Sequence, residues 1–183
     1  RFLSGDERDR LLSACKASRS QFLYPVVVLA ISTGMRRGEI MGLRWKQVDL
    51  ANNCLRLSET KNDTSRSIPL AGLALTLMVQ LSKVRRIDSE LVFYGRDKAQ
   101  AIDLKKPWET ALRKADIDDF RFHDLRHTAA SYLAMNGATT VEIAAVLGHK
   151  TLQMVKRYSH LANSHTAGVV ASMNRKIFEQ PEG

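Results

Sequence analysis

Apolar and polar positions alternate along this chain in two different periods, and the change of period marks out its elements. The opening Ser4-Gly5-Asp6-Glu7 has capping-box spacing, in which a hydroxyl and a carboxylate satisfy orphan backbone donors at a helix start. Leu11, Leu12, Ala14 and Cys15 then give a short amphipathic helix. A second helix is expected to begin at Pro25 and run through Val26–Ser32. It is apolar on nearly every side, which predicts burial. Thr33-Gly34 is a stop signal, and Met35–Leu43 reads as a short helix with a basic head.

From Val48 to Leu70 the period shortens to two. Val48-Asp49-Leu50, Cys54-Leu55-Arg56-Leu57 and Arg66-Ser67-Ile68-Pro69-Leu70 read as three short strands, with Asn- and Asp-rich turns between them. Helical spacing returns at Leu73-Leu77-Leu81 and breaks at Leu91–Tyr94. It resumes over Pro107–Ala115, Asp124–Met135, Thr140–Leu147, Thr151–Leu161 and His165–Phe178, with Asn136-Gly137 and Gly148 at the joints. There is no internal repeat. The pattern predicts a mainly α chain with a small three-stranded antiparallel sheet, an α+β domain spanning residues 1–183.

Composition narrows the classes. Hydrophobic residues make up 44% of the 183 and charged residues 26%, an ordinary globular balance rather than a disordered one. The apolar run Val26–Ile31 is far short of the roughly 20 residues a bilayer span needs. No secretory leader pattern opens the chain, and Cys15 and Cys54 alone make no disulfide framework, so a reducing cytoplasmic setting is expected. The unusual quantity is charge. With 28 Lys+Arg against 19 Asp+Glu, the formal net charge is +9, which points to a polyanion: nucleic acid first, a membrane surface second.

Four clusters concentrate that charge into possible chemistry. Thr33-Gly34-Met35-Arg36-Arg37-Gly38-Glu39 is a glycine-bounded turn with two arginines, whose planar forks match phosphate oxygens. Alone it reads more readily as a solvated loop with an Arg–Glu pair. His123-Asp124-Leu125-Arg126-His127-Thr128 sets His123, Arg126 and His127 at helical spacing. It is near the zinc pattern H-E-x-x-H, but Asp124 replaces the glutamate and a third ligand would still be needed. Leu147-Gly148-His149 is followed by Lys156-Arg157-Tyr158-Ser159-His160, where positive surroundings favour a tyrosine phenolate. Lys61 stands in the polar turn between the second and third strands. Arg, Lys, His, Arg, His and Tyr thus occur in order without a carboxylate cluster to hold a metal. That inventory suits metal-free transesterification at a phosphodiester, arginines stabilising the developing charge.

These boxes resemble those of the tyrosine recombinases of the phage-integrase family. Thr33-Gly34-Met35-Arg36-Arg37-Gly38-Glu39 resembles the first box, His123-Asp124-Leu125-Arg126-His127-Thr128 the second, and Leu147-Gly148-His149 with Tyr158-Ser159-His160 the third; Thr60-Lys61-Asn62 matches the turn lysine. The resemblance implies double-stranded DNA as partner, a homo-tetramer on that DNA, and no metal or cofactor. It implies a Tyr158 nucleophile forming a 3′-phosphotyrosyl bond, with Arg36 and Arg126 clamping the phosphate and His149 adding a hydrogen bond. His123 would accept the tyrosine proton, and Lys61 would protonate the leaving 5′-oxygen. Only the family pattern selects Arg36 over Arg37. His127 is expected to be structural, and Glu39 to support an arginine.

The chain departs from the family pattern at Met154 and Val155, where threonines are common. The family's upstream core-binding domain is expected to be absent, because Arg1-Phe2-Leu3-Ser4 already resembles the catalytic domain's start. Val169, Val170, Met173 and Ile177 form an apolar stripe that packs either on its own domain or on a neighbouring protomer. Two rivals share the chemistry or the partner: a type IB topoisomerase, and a DNA-binding relic without catalysis. A peripheral membrane protein is disfavoured for want of a strongly basic amphipathic helix.

Overall fold

The computed structural model describes residues 1–58, 65–97, 99–149, 151–158 and 163–178. They fall into two compact units, Arg1–Ala129 and Ala130–Gly183.

The first unit is built around one helix. α1 (Gly5–Lys16) begins with the expected capping box: Glu7 N–H donates to Ser4 Oγ at 3.1 Å, and Ser4 N–H donates to the Glu7 carboxylate at 2.8 Å. α2 (Leu23–Thr33) is the core element, with Val26, Val27, Leu29 and Ala30 all essentially inaccessible. α3 (Arg37–Met41) is a single turn and a half that buries Ile40. Strands β1 (Val48–Asp49), β2 (Cys54–Ser58) and β3 (Ser65–Pro69) form the antiparallel sheet in sequential order. Its register pairs Leu55 with Ile68 and Leu57 with Arg66. The period-two rule then places Leu55, Leu57, Arg66 and Ile68 toward the core, and Leu55 and Ile68 are buried there. α4 (Gly72–Lys83) and α5 (Lys105–Lys114) complete the layer, with Phe93 fully buried between them in sequence.

α6 (Asp124–Met135) contains the boundary between the units. The second unit continues with α7 (Thr140–Leu147) and α8 (Asn163–Phe178). Its core is small: Ala130, Ala134, Ile143, Ala144, Leu147, Val155 and Tyr158. No helix among the described residues is long and apolar enough to cross a membrane.

Two expectations change. α2 and α5 start two residues before Pro25 and Pro107, because the first turn's N–H groups have no intrahelical acceptor and tolerate a proline anywhere within it. The helical spacing of Leu73-Leu77-Leu81 is met by α4, which buries Ala74 and Met78, packs Leu77 and Leu81 partly buried against the core and leaves Leu73 47% exposed. The helix expected over Thr151–Leu161 is, in its described part, a run of tight turns. Met154, Val155 and Tyr158 N–H groups donate to Thr151, Leu152 and Val155 carbonyls, each three residues back. Three residues per turn brings Val155 and Tyr158 onto one side, and both are buried.

Candidate functional site

The first box is a helix end and a helix start placed back to back. Thr33 Oγ1 donates to Leu29 O at 2.6 Å and accepts Met35 N–H at 3.3 Å. Gly34 ends α2 in the left-handed region (φ 62°, ψ 17°), a conformation most side chains resist. That turn directs its carbonyl to Arg126, whose Nη1 donates to it at 2.6 Å. Arg36 caps α3. The Glu39 carboxylate accepts its backbone N–H at 2.7 Å and its Nη1 at 3.0 Å, while the arginine side chain remains 44% exposed. Arg37 lies instead on the rim of a cleft of about 450 Å³, with Met41, Trp108 and Phe122. Geometry therefore separates two neighbours that charge alone could not.

A residue not singled out in the sequence completes this network. Arg66 Nη2 donates to the other Glu39 oxygen at 2.7 Å, and its side chain is only 14% exposed. The signal was available: β3 alternates, and an arginine on the same face as Ile68 faces inward and must find a partner.

The second box sits at the mouth of α6. His123 is exposed, its carbonyl accepting Arg126 N–H at 3.1 Å, and its ring meets His127 edge-on with centroids 5.5 Å apart. Arg126 is buried at 6% exposure. Asp124, also buried, accepts the Arg121 backbone N–H at 2.7 Å. It thereby fixes the entry turn. Thr128 is fully buried; its hydroxyl donates to Asp124 O at 3.0 Å and accepts Leu3 N–H at 3.2 Å. His127 packs beside His123, and Glu39 pairs with two arginines, Arg36 and Arg66.

The third box belongs to the second unit. Gly148 ends α7 in the left-handed region (φ 66°, ψ 47°). Its N–H donates to Ala145 O at 3.2 Å and His149 N–H to Ala144 O at 2.9 Å, which is the paired closure of a Schellman motif. This is why glycine precedes the histidine: the turn releases His149 from the helix axis and leaves it half-buried. At the other end of α7, Thr139 and Glu142 form a second capping box. Tyr158 is 6% exposed, its ring part of the unit's core beside Val155. Met154 is half-exposed and Val155 buried, so the two departures from the family pattern stand on opposite terms with solvent. Lys61 lies outside the described residues, as do Ser159 and His160.

Within the first unit, then, the structure joins boxes one and two through the Arg126–Gly34 bond, and it adds Arg66. No group of three or more His, Cys, Asp or Glu side chains is arranged to hold a metal ion among the described residues.

The phage integrase family matches residues 1–165. Among known proteins, the shufflon-specific DNA recombinase of Escherichia coli is 37% identical over 154 residues, 84% of this chain and 38% of that protein. The integrase of Salmonella phage P22 is 30% identical over 177 residues, 90% of this chain and 45% of its own length. The chain thus spans less than half the length of these curated relatives. Among solved structures, the catalytic domain of bacteriophage HP1 integrase superposes with a TM-score of 0.72 at 27% identity, covering 100% of this chain and 98% of that one. The XerA recombinase gives a TM-score of 0.76 at 24% identity over 100% of this chain and 66% of its own, a likeness of fold. The chain belongs to the phage integrase family, and its fold is that of a tyrosine recombinase catalytic domain.

Proposed function

We propose that this chain cleaves and rejoins double-stranded DNA at specific sites through a 3′-phosphotyrosyl intermediate. The observation that carries the reading is the family match over residues 1–165, which takes in every position from Arg36 to Tyr158. Tyr158 Oη attacks the scissile phosphorus and passes its proton to His123, whose imidazole can accept a proton and later return it. The phosphorus–O5′ bond breaks, and Lys61 protonates the departing 5′-oxygen. The energy of the broken link is kept in the tyrosyl ester, so a 5′-hydroxyl from another strand reverses the step. Arg36, Arg126 and His149 donate to the non-bridging oxygens, where negative charge builds up.

Pre-orientation supports this assignment for the arginines. Gly34 O holds the Arg126 guanidinium, and Glu39 holds that of Arg36, so little reorganisation is needed when a phosphate arrives. The reaction would take place on DNA in the cytoplasm of a bacterial or phage-infected cell, with four copies assembled on paired sites. The exposed stripe of Val170, Met173 and Ile177 on α8 is compatible with contact between such copies.

The test uses nicked duplexes with a randomised central segment, incubated with the 183-residue chain and resolved on a denaturing gel. An SDS-resistant protein–DNA adduct is expected, and the trapped duplexes reveal the preferred site. Tyr158→Phe is expected to lose the adduct entirely while still retarding DNA. An adduct that survives this substitution would overturn the assignment. Plasmid relaxation without any recombinant product would point to a topoisomerase instead.

A further inference from the structure

We propose that Arg66 is a positioning residue for Arg36, acting through Glu39; the inference rests on the function proposed above. Three distances define the relay. Glu39 Oε1 accepts Arg36 Nη1 at 3.0 Å, and Oε2 accepts both the Arg36 backbone N–H at 2.7 Å and Arg66 Nη2 at 2.7 Å. Both carboxylate oxygens are in use. Arg36 is largely exposed, whereas Arg66 is enclosed at 14%. The enclosed cation is therefore the anchor and the exposed one is the working end.

The charge arithmetic explains why an anchor is needed. A carboxylate paired with Arg36 alone would neutralise it and compete with a phosphate for the same N–H donors. With Arg66 drawing on Oε2, the three side chains together keep one net positive charge. Glu39 then fixes the direction of the Arg36 fork without cancelling its pull. Arg66 is also the second residue of β3, the strand that follows directly on the 59–64 segment containing Lys61. The same bond thus ties the turn carrying one candidate phosphate ligand to the strand that follows the candidate acid. A plain structural pair would hold α3 to the sheet equally well, and the experiment has to separate these two roles.

Single-turnover cleavage is measured on a duplex trapped in the adduct screen, and on the same duplex with a neutral methylphosphonate at the scissile position. Removing one negative charge relieves the demand for a well-aimed guanidinium. Arg66→Ala is expected to slow cleavage of the phosphodiester by about 10- to 100-fold, the range that small misplacements of a reacting group produce, with DNA affinity held. Most of that loss is expected to vanish on the methylphosphonate. Arg66→Lys, which keeps charge and stem, serves wherever Arg66→Ala melts early, and it is expected to fall between Arg66→Ala and wild type. Adding Arg66→Ala to Glu39→Gln is expected to slow the reaction no further. An equal loss on both substrates, or rates matching wild type, would overturn the positioning role while leaving the recombinase reading in place. A wild-type chain that forms no adduct would bring down that reading and this inference together.

Discussion

Cys15 stands on the inner face of α1 at 1% exposure, and burial pushes its thiol up to about 12. Thiolate is the reactive form, so native Cys15 is expected to resist alkylation by iodoacetamide from pH 7 to 9 and to react promptly once the chain is unfolded in urea. A native labelling rate close to that of the urea-unfolded chain would contradict the placement. The same comparison between exposed and enclosed governs the charged residues. Arg36, Arg126, His123, His149 and Tyr158 could be singled out because their types and order matched a chemistry. Their surroundings could not. Arg126 is buried against a backbone carbonyl, Tyr158 is packed in an apolar cluster, and His123 is exposed, though all three stood equally in polar text. Burial is a sum over distant neighbours, and neighbours in space are not neighbours in sequence. The alternation of β3 turns Arg66 inward, but its partner Glu39 lies 27 positions away.

Among elements, those with explicit start and stop chemistry were legible almost to the residue. α1 and α7 begin at Ser4 and Thr139, each with a glutamate three places on, and α2 and α7 end at left-handed glycines. The caps carry a pH signature. Hydrogen bonding from the Ser4 backbone N–H holds the Glu7 carboxyl below its ordinary 4.5, and the Thr139 backbone N–H does the same for Glu142. A carboxylate depressed on folding stabilises the fold above its unfolded value and loses that contribution as pH falls through its folded value. The gap in urea midpoint between wild type and Glu7→Gln, and likewise Glu142→Gln, is therefore expected to be full near pH 6 and to narrow as pH falls below 4.5. A gap independent of pH would show that the caps act through shape alone. The segment leading to Tyr158 is less legible. The periodicity from Thr151 onward fits a helix, yet the described turns close three residues back, because a short run with buried side chains only at Val155 and Tyr158 has too few packed positions to extend a full helix.

At the scale of the whole chain, the dominant quantity is the formal charge of +9. If DNA is the partner, each neutralised phosphate releases counterions, and affinity falls as a power of the salt concentration. Binding of the 183-residue chain to duplex DNA is expected to weaken about a hundredfold or more between roughly 50 and 200 mM salt, as read by fluorescence anisotropy. A flat salt response would separate the charge from the binding. What the sequence determined by itself was everything local or additive: net charge, the capping box at Ser4, the glycine stops, the alternation of three strands and the order of the boxes. These depend on residues within a few positions of one another, or on a sum over all of them. The tertiary structure alone decided which of two adjacent arginines meets Glu39, that Arg126 closes on Gly34 across 92 positions, and that Arg66 is enclosed against Glu39. Such pairings are chosen by packing, where each buried polar group must find a donor or acceptor wherever the fold happens to bring one.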